Sequence, residues 1–180
     1  MSYTQVSIPK TPGGGAAVAK KDRISIFDVD TVATDVTRDF GNTTTAGPLT
    51  LDTGAKGITI QVSRASVSCG YEQSGDVDAK VFADKVEFDY PGDSVALNNF
   101  IEAYANKGVI IIVESCDGPT KLYGRKCNPM FLQAEPTDSK DGLRTHLTFN
   151  QEMGDAYVPR VYTGAIPEVA ADASVSAGAE

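Results

Sequence analysis

The chain has 180 residues, enough for one well-buried domain and short for two. With 16 Lys+Arg against 24 Asp+Glu its formal net charge is −8, which excludes a general nucleic-acid binder, since basic side chains on phosphates supply most of that affinity. The opening MSYTQVSIPK carries no apolar run of signal-peptide length and no window approaches a membrane span, so cytoplasmic synthesis without membrane insertion is the expectation.

Residues 1–22 read as a flexible Gly-rich arm: Pro12 through Ala17 have little to bury, and Lys20, Lys21, Asp22 and Arg23 are charged. Residues 24–32 alternate as a strand, with Ser25, Phe27 and Val29 on one face and Ile24, Ile26 and Asp28 on the other. A Thr-rich loop follows, then a short strand at 49–51, a turn at 52–57, and a clean alternating strand at 58–62. Past a polar loop at 72–76, Val86, Phe88 and Tyr90 face one way while Lys85, Glu87 and Asp89 face the other. Leu97, Phe100, Ile101 and Tyr104 recur at helical spacing, so a helix is expected over about 94–106. Asp93 or Ser94 would cap its start, and Gly108 would be the left-handed residue past its end. The β-branched run at 109–113 has no polar break and suits a central strand covered on both faces. After a turn at Asp117 and Gly118, residues 130–134 and 143–149 form a hairpin around a polar loop at 136–142. The tail at 167–180 is small, acidic and expected to be flexible. The fold expected is mainly β, a mostly antiparallel sandwich or barrel over 23–166 with one flanking helix.

Nothing in the chain assembles into a catalytic or cofactor motif. Cys69, Cys116 and Cys127 include no CxxC pair, and His146 is the sole histidine, so a tetrahedral zinc set is missing and three reduced thiols are expected. His146 alternates onto the polar face with Arg144 and Thr148 and lacks a nucleophile motif beside it. Counted from Asp28 as a calcium loop, position six is Ala33 and position twelve Asp39, which fails the pattern. Asp28 and Asp30 would share a strand face and, with Asp35, make an acidic edge. Gly13, Gly14 and Gly15 lack the strand and the GK[ST] of a phosphate cradle. Asp138 to Gly142 is hairpin-tip chemistry, and Asp76 with Asp78 is the remaining carboxylate pair for a hydrolase.

The order Lys107-Gly108, the apolar strand at 109–113, Asp117-Gly118, Leu122-Tyr123-Gly124, Asn128-Pro129, the loop Asp138-Ser139-Lys140-Asp141-Gly142 and the strand at 145–149 resembles the major tail (tail-tube) proteins of bacteriophages, the Bacteroidetes-phage type in particular. The resemblance spans about residues 57–165 and leaves out arm and tail. It implies a β-sandwich with one helix, assembled as hexameric rings stacked into a hollow tube. The location would be the virion tail, the partners further copies and other virion proteins, and double-stranded DNA only passing cargo; no cofactor or metal is implied. An acidic duct wall would suit this role, because phosphates repelled within a Debye length of about 8–10 Å do not adhere, and Asp28, Asp30 and Asp35 are the expected lining. Two alternatives stand beside it: a capsid decoration or head-completion protein, and a small β-sandwich binding module or hydrolase using Asp76 and Asp78.

Overall fold

The computed structural model describes residues 7–9, 17–36, 44–45, 48–139 and 142–171. In chain order its elements are β1 (Lys20–Asp28), β2 (Val32–Thr34), β3 (Thr44–Thr45), β4 (Thr50–Leu51), β5 (Ile58–Gln61), β6 (Ser68–Ser74), β7 (Val81–Pro91), α1 (Val95–Tyr104), β8 (Val109–Ser115), β9 (Lys121–Tyr123), β10 (Met130–Ser139), β11 (Gly142–Gln151) and β12 (Arg160–Tyr162). The chain is mainly β with a single α-helix among the described residues, as expected.

The β-branched run becomes β8, antiparallel to β1 on one side and to β9 on the other. Both of its faces are covered. Val109, Ile111 and Val113 join Ile24, Ile26, Val86, Phe88, Leu147 and Phe149 in the larger core. Ile110 and Ile112 join Phe27, Leu122 and Tyr162 in a second core, closed by Val32, Val36 and Leu49. Period-two alternation in β1 does the same: Ile24 and Ile26 go one way, Phe27 the other. Two sheet halves result. β5-β1-β8-β9-β12 continues through the Met130–Val109 pair into β10-β11-β7-β6, and the halves face each other across the larger core.

Ser94 caps α1, its Oγ accepting from the Leu97 amide at 3.1 Å, while Asp93 accepts from the Asn98 side chain at 2.8 Å. Leu97 and Phe100 are buried, and Ile101 and Tyr104 pack half-buried behind them. Gly108 does not take the left-handed conformation expected of it. Its requirement is space, since a Cβ there would lie 2.6 Å from the Pro129 ring.

Other boundaries also differ. The expected strand over 24–32 instead starts at Lys20 and stops at Asp28, whose carboxylate accepts the Asp30 amide at 2.9 Å and opens a 3-10 turn over Val29–Thr31. Asp28 and Asp30 therefore do not share a strand face. Residues 19–22, read with the arm, are held by main-chain bonds from Cys116 to Ala19 and from Val62 to Asp22, both 2.9 Å. The rest of the arm falls largely on 1–6 and 10–16, outside the described residues. From the tail, Glu168 and Ala170 bond to both main-chain groups of Gly57; 172–180 lie outside the described residues. The polar loop at 72–76 is strand as far as Ser74, and that at 136–142 is strand on both sides, paired out to Ser139–Gly142. Polar composition signalled a loop, but residues paired in a ladder yet exposed on both faces carry no apolar alternation.

Candidate functional site

The three aspartates expected to line a channel all fall on the segment around the 3-10 turn. Asp28 is almost covered, its Oδ2 paired with Lys107 Nζ at 3.0 Å, and that bond holds the Lys107 ammonium above its usual range. Asp35 accepts from the Val36 amide at 2.8 Å and from the Lys126 amide at 2.9 Å. Asp30 is exposed. Two of the three thus serve local structure, and one faces water.

Asp76 and Asp78 stand exposed on the turn between β6 and β7. Among the described residues no group of three or more His, Cys, Asp and Glu side chains could hold a metal ion. His146 has orienting carboxylates that its sequence neighbourhood did not reveal. Register sets it opposite Asp89 on β7, with Nδ1 2.7 Å from Asp89 Oδ1 and Nε2 4.0 Å from Glu87. A triad needs a nucleophile on that second nitrogen; here it faces Glu87. Cys116 and Cys127 are exposed and Cys69 half-buried, all three as free thiols.

A buried polar cluster went unnoticed in the sequence. Asp84, 6% exposed, accepts from the Gly124 amide at 2.9 Å, and its own amide donates to Gln151 Oε1 at 2.8 Å. Gln151 Nε2 donates to the Asn128 carbonyl at 2.8 Å. Arg125 and Asp155 form an ion pair at 2.8 Å, and the buried Arg160 reaches the Gly124 carbonyl at 3.4 Å. The cluster fastens the turn between β9 and β10 to β7 and β11. One signal could have found it: Asp84 precedes Val86 and Phe88 at period two and so points inward with them.

Tyr123 borders this cluster, fully buried, its hydroxyl lacking a well-formed hydrogen bond. Burial, and then the neighbouring Cys69 thiol and Asp84 carboxyl, push its phenol far above the usual range. Burial also raises Tyr104, to which Asp28 adds. In the unfolded chain both phenols ionise near pH 10. Above that pH the folded state binds more protons than the unfolded, so stability is complete below about pH 10 and falls as pH rises, by up to about 1.4 kcal/mol per pH unit for Tyr123. Tyr123→Phe should leave neutral stability within about 1 kcal/mol of wild type or above it and flatten the alkaline fall. Urea midpoints at pH 7 and pH 11 check this; an alkaline fall of equal slope in the variant would remove Tyr123 as its source.

Two surface features stand apart from the packed core. The β10–β11 ribbon runs past the core: Leu147 and Phe149 are buried, whereas Glu135 to Asp138 and Gly142 to Arg144 are exposed. Beyond Met130 the outer edge of β10 pairs with no other described strand, and Pro136, which has no amide to donate, is tolerated there for that reason. The second is an apolar groove of about 410 Å³ between β5 and α1. No family model, curated protein or solved structure matches the chain.

Proposed function

We propose that the protein is a structural subunit that assembles with copies of itself, as a phage tail-tube ring does, into stacked, hexameric rings around an acidic passage for DNA. The observation that carries this reading is the ribbon. The inner half of this antiparallel pair builds the larger core, but its outer part, 135–138 with 142–144, is exposed and adds no burial to its own subunit, and one long edge of β10 pairs with no other described strand. Soluble monomers blunt such edges; a subunit uses them to pair with a neighbour. The net charge of −8 and the exposed Asp30 fit a surface from which passing phosphates are repelled. No helix among the described residues is long and apolar enough to cross a membrane.

The test is sedimentation velocity and negative-stain microscopy over a concentration series. Wild type is expected to give rings or tubes. A variant in which 138–143 are replaced by Asn-Gly keeps the hydrogen-bonded Thr137–Arg144 pair and closes it with a favoured two-residue turn. It should melt like wild type and stay monomeric. A wild-type chain that is monomeric at every concentration would overturn the proposal, and rings from the shortened variant would remove the ribbon from the contact.

A further inference from the structure

At β5 the larger core meets a sheet edge that pairs with no further strand among the described residues. Its Val62 end bonds to Asp22, so by antiparallel alternation Ile58 and Ile60 aim their main-chain groups at β1 while Thr59 and Gln61 aim theirs away from it. The open edge is closed at both ends, by Gly57 bonded to Glu168 and Ala170 and by the Ser63 amide donating to the Asp89 carbonyl at 3.2 Å. Between these stops lies the groove of about 410 Å³, its floor Ile58, Ile60, Leu97 and Phe100, its rim Ala96 and Tyr90, and one end the tail residues Ala170 and Ala171. A strand laid along Thr59 and Gln61 would satisfy outward main-chain groups that bond to no main-chain group of the described residues and drop alternate side chains onto the floor.

The chain's own tail enters parallel to β5 with Val169 opposite Gly57 and, among the described residues, reaches only the end of the groove at Ala170 and Ala171; continued in that register, the sequence would set Asp172, three residues on, opposite Ile60, a carboxylate over the apolar floor. The N-terminal arm fits. Thr4, Val6 and Ile8 alternate with Gln5 and Ser7, and Pro9 ends the pattern. Within its own subunit Ile8 is 86% exposed and does not line the groove. The Gly-rich stretch 10–19 behind it can span at most about 33–36 Å, enough to reach an adjoining subunit.

We propose that this groove receives residues 4–8 of a second copy as an added strand, Val6 and Ile8 seated between β5 and α1. The inference rests on the self-assembly reading only in needing contact between copies. A fluorescein-labelled peptide of residues 2–10 is titrated by anisotropy into the chain lacking residues 1–10. Saturable binding is expected, weakened at least about tenfold by Ile8→Asp in the peptide and by Thr59→Pro in the protein. The proline removes an amide the fold does not use and blocks the added strand. Ala96→Asp, on the exposed rim, is the second protein variant should Thr59→Pro fail to fold. No binding, or binding indifferent to these changes, overturns the proposal. So does a full-length monomer that excludes the peptide, since the arm would then fill its own groove, and so does binding that appears only after removal of 172–180. Rings from wild type without peptide binding would leave the tube reading and remove this one. Peptide binding with an arm-dependent dimer and no rings would do the reverse.

Discussion

Ile111→Asp is expected to abolish soluble folding. Ile111 is fully buried at the centre of β8, paired with Ile26 on β1 and with Tyr123 on β9, and its side chain lies in the larger core. A carboxylate there has no cation to meet and no route to water. The loss of apolar burial and the desolvated acid together exceed about 4–5 kcal/mol, against a total stability of about 5–15 kcal/mol for a domain of this kind. Expression with the variant wholly in the insoluble fraction, and Ile111→Val soluble with a loss of about 0.5–1.5 kcal/mol, is the expected pair of results. Wild-type soluble yield from Ile111→Asp would mean that β8 is not the buried centre of the sheet.

Asp84→Ala should destabilise by about 2–3 kcal/mol, because it leaves the Gly124 amide buried without its acceptor. Gly124 itself sits at φ +74, with Met130 and the Val109 carbonyl against it, so the turn has little freedom to find a substitute partner. Asp84→Asn retains an oxygen acceptor and should recover most of the loss. Thermal melts read the difference as about 4–12 °C for Asp84→Ala in a chain of this size. If Asp84→Ala melts with wild type, the cluster is not what holds the β9–β10 turn.

The scaffold was legible wherever one residue's surroundings follow from its neighbours. The run at 109–113 could only be covered on both sides. The spacing of Leu97, Phe100, Ile101 and Tyr104 placed α1 to within two residues, and alternation at Ile58, Ile60, Val86 and Phe88 oriented β5 and β7. The contact features were not legible in this way. The hairpin at 130–149 was legible, but its outer part at 136–142 is polar and reads as a loop, because pairing to its tip depends on a partner strand rather than on apolar alternation. His146 beside Asp89, and Asp84 beneath Gly124, join residues 57 and 40 positions apart, which only strand register brings together. Asp28 looked like one of an acidic series until a capping bond and Lys107 occupied it.

By itself, then, the order of residues determined a β-rich domain with one helix and a central strand buried on both faces, since local periodicity and the need to cover apolar surface act over a few residues at a time. The tertiary structure alone decided which strand edges have no partner among the described residues and which carboxylates are consumed internally. Those outcomes depend on strand register and sheet order, and both are set by packing between segments far apart in the chain.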